Sequence, residues 1–137
     1  MTKKLVPFDQ LGYSKGFDLA VEGYCNLVGW KERPLAYPSP TDRGVLMMLE
    51  GEAVSIVLYR ADPENQSLTI TLIYTEQSSE GMGYATELLQ RVMTIAKDRG
   101  LQKVNVLCND GNEAAAGLLK KVGYTPIAKL FSLDVAS

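Results

Sequence analysis

The chain has 137 residues, of which 46% are hydrophobic and 22% charged, with a net charge of −2, two cysteines and no histidine. This balance fits one globular domain over residues 1–137 with an ordinary core, and excludes a disordered or coiled-coil chain. Scattered Lys and Arg argue against a nucleic-acid partner, and the missing histidine excludes Ser-His and Cys-His pairs; with Cys25 and Cys108 far apart, a structural zinc site is excluded too.

No apolar run approaches the ~18 residues of a membrane span, and MTKKLVPFDQ lacks the apolar stretch of a signal peptide. The expectation is a cytoplasmic protein with reduced thiols, no membrane partner and no metal.

In chain order, Lys3 to Val6 reads as a short strand. Asp9 is a helix cap for Phe17, Ala20, Val21, Tyr24 and Val28 at helical spacing, a pattern that Gly12, Gly16 and Gly23 interrupt. KERPLAYPSPTDRG, with Pro34, Pro38 and Pro40, is a loop. GVLMMLE and AVSIVLYR are two strands joined by a hairpin at Gly51-Glu52, and Asp62-Pro63-Glu64-Asn65 supplies the next turn. Leu68 to Glu76 is the third strand of an antiparallel meander, with Leu68, Ile70, Leu72 and Tyr74 on one face and Thr69, Thr71, Ile73 and Thr75 on the other.

The turn SSEGMG then opens an amphipathic helix whose stripe is Ala85, Leu88, Leu89, Val92 and Ala96, with Gly100 as its C′ residue. A strand feeding a glycine turn and a helix start is either an ordinary tight turn or an anion site. The first helical N–H groups have no intrahelical partner and lie at the positive end of the dipole, so they can cradle a phosphate, and Gly81 and Gly83 allow close approach. Lys103 to Cys108 is a strand, parallel to the previous one through a right-handed crossover. Asn112 caps a second helix through Ala115, Leu118, Leu119 and Val122, Gly123 stops it, and Thr125 to Ala136 holds one or two closing strands.

This succession resembles the GCN5-related N-acetyltransferases over nearly the whole chain. The segment Ser78-Ser79-Glu80-Gly81-Met82-Gly83 is similar to the family's acyl-CoA signature, a Gln or Arg and then Gly-x-Gly or Gly-x-Ala, although Ser78 stands where Gln or Arg is usual. NEAAAGLLKKVGY resembles its second segment, with Asn112, Ala115, Gly123 and Tyr124 at the matching positions. The family's tyrosine that protonates the departing thiolate falls on Leu119, which has no proton to give.

The resemblance implies an α+β (α/β/α) fold: a mixed, mostly antiparallel sheet with helices on both faces. It implies N-acetyltransferase chemistry, in which an acetyl or other acyl group passes from acetyl-CoA directly to a primary amine, so the lack of histidine is no obstacle. The amides of Ser79, Glu80, Gly81, Met82 and Gly83, beside Ser78 and the helix start at Tyr84 and Ala85, would take the pyrophosphate. Backbone groups of Ile73, Tyr74 and Thr75 would align the pantetheine and polarise the thioester carbonyl. Glu76 is the candidate base, or else a solvated strand-end acid. Tyr74, Tyr84 and Cys108 are stand-ins for the missing acid, against core readings of Tyr74 and Cys108. Asn112 and Ala115 would touch the CoA arm, Asn112 doubling as a cap. Lys120 and Lys121 face either the adenosine phosphate or solvent. The amine acceptor would enter beside Tyr13 to Arg43, where Trp30, Tyr37 and Asp42 stand.

Three other readings follow from the same residues. A Rossmann-type nucleotide binder lacks its third glycine, since Thr86 stands there, and its early parallel unit. A catalytically degenerate binding or regulatory module of the acetyltransferase fold would bind CoA without turnover. A structural subunit would bind none. Edge strands near SLDVAS would allow a homodimer.

Overall fold

Strand β1 (Lys3–Phe8) lies antiparallel to β2 (Arg43–Leu49), which turns into β3 (Glu52–Asp62). The computed structural model describes residues 3–8, 18–20, 22–23, 43–107, 113–127 and 130–135. The hairpin turn is Glu50–Gly51 rather than Gly51–Glu52: φ is 52° at Glu50 and 83° at Gly51, and Glu52 already pairs with Leu49. Positive φ at both central residues is the type I′ geometry that matches strand twist, with glycine taking the second position at no steric cost.

A single 3-10 turn at Pro63–Asn65 leads into β4 (Ser67–Thr75), the third strand of the meander. Helix α1 (Tyr84–Asp98) carries the chain over the sheet to β5 (Lys103–Leu107), which runs parallel to β4 as its crossover requires. Helix α2 (Glu113–Lys121) precedes β6 (Thr125–Ile127) and β7 (Leu130–Asp134). Among the described residues seven strands are ordered β1-β2-β3-β4-β5-β7-β6, a mixed and mostly antiparallel sheet. The strand containing SLD is therefore interior: β7 pairs with both β5 and β6, and the sheet's edges are β1 and β6.

Both helices end as their glycines dictate. After α1, Gly100 (φ 71°) donates to Lys97 and Leu101 to Ala96; after α2, Gly123 (φ 101°) donates to Lys120 and Tyr124 to Leu119. These paired bonds of the Schellman motif satisfy carbonyls that the last turn would leave open.

The sheet separates two cores. Leu88, Leu89, Val92 and Ala96 of α1 and Leu119 of α2 pack with Val57, Leu68, Ile70, Val104 and Val106 on one face. On the other, Leu19 and Ala20, from helical residues 18–20, pack with Leu46, Ile56, Leu58 and Leu72. Burying each of the larger side chains contributes roughly 1.5–3 kcal/mol. Phe17, Val21, Tyr24 and Val28 of the expected first helix, and its cap Asp9, lie outside the described residues.

The alternation expected along β4 is interrupted. Leu58 faces Leu72 and Tyr59 faces Ile70, so Thr71 is an extra residue, a bulge. Leu68 and Ile70 consequently lie in the core under α1, as does the packing of Ile73, whereas Leu72 and Tyr74 belong to the opposite core.

Candidate active site

The bulge at Thr71 splits the sheet. Strands β4 and β5 pair from Ser67–Lys103 to Ile70–Val106 and no further, although β4 continues to Thr75. A bulge bends its strand and ends regular pairing, so β4 and β5 part there. Above the split, β4 stays on β3: the Glu76 N–H donates to the Val54 carbonyl at 2.9 Å. Backbone groups of successive strand residues point to alternate sides, so the N–H and C=O of Ile73 and Thr75 are directed away from β3. Among the described residues no strand covers that side.

Immediately beyond lies the glycine turn. Glu76 accepts the Ser78 hydroxyl at 2.5 Å and the Ser79 hydroxyl at 3.0 Å, both on Oε1, and its carbonyl accepts the Ser79 N–H at 3.0 Å. Those bonds wind Gln77–Ser79 into a 3-10 turn that delivers the chain to Gly81 and Gly83. Both glycines have φ near +80°, 81° and 80°, a region costly to other residues, and a Cβ at either would meet nothing within 4 Å. Gly83 is the N-cap of α1 and offers no side chain, and the first intrahelical bond is Glu87 N–H to the Gly83 carbonyl at 3.1 Å. The amides of Tyr84, Ala85 and Thr86 thus have no intrahelical acceptor and sit at the positive end of a 15-residue helix. Glu87, the acid of that first turn, is neutralised by Lys3 at 2.6 Å. A strand edge with outward backbone groups, ending at an uncapped helix start, suits a ligand with amide-like and phosphate parts.

The sequence model of the Acetyltransferase (GNAT) family matches residues 17–124, most of the chain. The chain belongs to the GNAT acetyltransferase family. Nothing among curated proteins matches it. Its fold is shared with a GNAT-family acetyltransferase from Staphylococcus aureus Mu50 (TM-score 0.80, 9% identity, covering 98% of this chain and 100% of that one). It is shared equally with the ribosomal-protein-S18-alanine N-acetyltransferase of Escherichia coli (0.77, 10%, 99% and 96%). A third neighbour is the PaiA N-acetyltransferase of Thermoplasma acidophilum in complex with coenzyme A (0.74, 8%, 98% and 98%). The family uses acetyl-CoA as acyl donor.

As a GNAT chain, this one departs from the family at two places whose surroundings are now visible. Leu119, to which the sequence resemblance assigns the family's tyrosine position, is only 2% exposed and part of the core under α1. Its side chain has no proton to give. Ser78, replacing Gln or Arg, is committed to Glu76 and holds the turn from within.

Tyr74 is half-buried on the face opposite α1, and its phenol pKa is raised, first by burial and then by the carboxylates of Glu22, Glu80 and Glu76. Gly23 lies against it: a Cβ there would come within 2.7 Å of the Tyr74 Cβ and Cγ. The glycine that looked like a helix interruption is what lets residues 22–23 settle on the Tyr74 ring. Tyr84, by contrast, is buried with Met47 and Val54 and packed against Leu5 and Leu49. Met82 is 62% exposed at the tip of the turn.

Lys120 and Lys121 are exposed in the last turn of α2. Cys108, Asn112, Trp30, Tyr37 and Asp42 lie outside the described residues, and Ala115 is placed only as a residue of α2.

The sequence reading missed Gly23 and Ser55. Ser55 is 0% exposed on β3, and its Oγ reaches the Tyr74 carbonyl at 3.1 Å and the Thr75 Oγ1 at 2.7 Å. The one signal was a hydroxyl inside the apolar run AVSIVLYR. A separate groove of about 380 Å³ lies beside the C-terminal half of α1, where Arg99 sits over the Tyr59 ring at 5.9 Å. It shares no residue with the turn.

Proposed function

We propose that this chain is one N-acetyltransferase unit, residues 1–137, that moves an acetyl or related acyl group from acetyl-CoA to a primary amine of a small molecule or protein. The observation that carries this reading is the meeting of the uncovered β4 edge with the uncapped start of α1. In this reading the amides from Ser79 to Gly83, with Tyr84 and Ala85, take the pyrophosphate. Backbone groups of Ile73 and Thr75 align the pantetheine, and one of their N–H groups polarises the thioester carbonyl. Asn112 and Ala115 touch the CoA arm by the family's pattern.

The amine, its ammonium proton having gone to Glu76 or to a water held there, attacks the carbonyl carbon; as the tetrahedral intermediate collapses the nitrogen gives up its second proton to solvent, the C–S bond breaks and the thiolate leaves with the bonding electron pair. Ser78 and Ser79 fix the Glu76 carboxylate through Oε1, which leaves Oε2 to face the incoming amine. A CoA-like thiol resembles cysteine, with a pKa of about 8.5, and so departs tolerably without a dedicated acid. Tyr74, whose raised pKa keeps its proton at neutral pH, and Cys108 are the stand-in donors.

One observation favours a second reading, a noncatalytic GNAT relative: Leu119 is sealed in the core where the family keeps its acid. The two separate in one series. Melting temperature with saturating acetyl-CoA comes first, because ligand at 100 times its Kd adds ~2.7 kcal/mol and moves the transition by several degrees. Thiol release across a panel of amines follows. A shift with release supports the enzyme, a shift without release the binding module, and no shift at millimolar acetyl-CoA overturns both.

A further inference from the structure

We infer that Ser55 is a positioning residue for the acyl donor, acting through the peptide unit that joins Tyr74 to Thr75. The inference rests on the reading of the β4 edge as the acetyl-CoA groove.

Ser55 lies opposite Thr75 in the β3–β4 ladder and is wholly buried, yet its hydroxyl makes two bonds, one to the Tyr74 carbonyl and one to the Thr75 hydroxyl. A peptide unit is planar, and its C=O and N–H point in opposite directions. The carbonyl of Tyr74 and the N–H of Thr75 belong to the same unit. Holding the carbonyl against β3 therefore turns the Thr75 N–H out into the uncovered edge, where a thioester or pantetheine carbonyl would accept it. The next unit is held in the same way: the Glu76 N–H on the Val54 carbonyl turns the Thr75 C=O outward.

The ladder, with Ile56 opposite Tyr74, already directs this carbonyl toward β3, and Ser55 adds a side-chain donor to it. Above Thr71 the strand has lost β5, so only β3 restrains it, and β3 is itself irregular, with Val54 left unpaired in the register between Met48–Ala53 and Met47–Ser55. The side-chain hydroxyl of Ser55, next to the unpaired Val54, is a second restraint on the Tyr74 carbonyl.

The experiment compares the parent with Ser55→Ala and Ser67→Ala, measuring acetyl-CoA affinity by calorimetry and the Thr75 amide resonance with and without acetyl-CoA. Loss of one neutral hydrogen bond that orients a donor predicts about tenfold weaker binding for Ser55→Ala. Its Thr75 amide should lose most of the ligand-induced shift, with far-UV signal unchanged. Ser67→Ala, which removes a buried hydroxyl from the closed half of β4, should bind within about twofold of the parent. Should alanine unfold the chain, Ser55→Cys keeps the volume with a weaker donor, and an intermediate loss is expected.

A parent that binds acetyl-CoA alongside a folded Ser55→Ala with equal affinity and an unmoved Thr75 amide overturns the role of Ser55 and leaves the groove standing. A parent that binds none removes the groove, and Ser55's role falls with it.

Discussion

Between Ser67 and Ile70, strand β4 is hydrogen-bonded on both sides, to β3 and to β5, and Leu68 and Ile70 are buried under α1. Between Ile73 and Thr75 the same strand keeps β3 and loses β5. The residue types hardly change across this divide: Leu, Thr and Ile below, Ile, Tyr and Thr above. What differs is one extra residue, Thr71, whose Oγ1 is buried without a hydrogen-bond partner among the described residues at the point of separation. The lower half uses its backbone to hold the sheet together, and the upper half keeps that hydrogen-bonding capacity for something that is not a strand. Stability and donor binding should therefore answer to different residues of one element.

The sharpest way to break this comparison is Gly81→Asp. It adds a side chain and a negative charge where the pyrophosphate is proposed to lie, and acetyl-CoA binding should fall below detection while the fold survives. Gly100→Asp is its control, because φ is 71° there and the backbone strain is similar, but the site is the other end of α1. Acetyl-CoA calorimetry on both variants decides: equal losses would mean that strain, and not the phosphate site, is responsible.

Leu68→Ala tests the closed half. Leu68 is fully buried, and removal of a core leucine costs about 2–5 kcal/mol. Urea unfolding should show that loss, with acetyl-CoA affinity of the folded protein within about twofold of the parent. An affinity that falls in step with stability would show that the two halves of β4 are not separable.

Much of this arrangement was legible before any coordinates. The meander, the parallel crossover, the glycine turn and both helix ends follow from apolar period and from glycines at C′ positions, because those rules act within a few residues. The split in β4 was not. LTITLIYT alternates acceptably through Thr71, and only the adjacent Leu72 and Ile73, one for each core, betray the extra residue. The hairpin turn was misplaced by one residue because Glu50 adopts a left-handed conformation that sequence assigns to glycine. Gly23 and Ser55 act on Tyr74 from distant elements, and a local pattern carries no trace of such contacts. Leu119 was recognised as an anomaly by position, but its burial follows from which side of α2 meets the sheet.

Within the open half, Glu76→Gln separates chemistry from binding. Glutamine retains an oxygen for Ser78 and Ser79, so the turn should hold and acetyl-CoA affinity should stay within about twofold. A positioned base contributes ~10²–10⁴-fold, so thiol release with a productive amine should fall by at least about 10². Matching rates for parent and variant across the pH range would take Glu76 out of the mechanism and leave it a turn-holding residue.

The smallest expected effect concerns a tyrosine at the foot of the closed half. Tyr124 is buried in the core under α1 and its hydroxyl has no hydrogen-bond partner among the described residues. Burial raises its pKa well above the ordinary phenol value of 10.0. An unpaired buried hydroxyl is a cost, so Tyr124→Phe should stabilise the protein by about 0.5–1 kcal/mol at pH 7. The gain should grow in alkali. Below pH 10 both folded and unfolded chains keep the proton, so the linkage contributes no slope. Above it the unfolded chain ionises while the folded one does not, and the parent loses up to about 1.4 kcal/mol per pH unit until the folded pKa is reached. Phenylalanine removes that loss. Urea unfolding of both proteins at pH 8 and pH 10.8 reads the difference, and because Tyr74 titrates alike in each, it cancels. A gap that stays constant between the two pH values would show that the Tyr124 hydroxyl reaches water, and that the closed half of the sheet is less sealed than its packing implies.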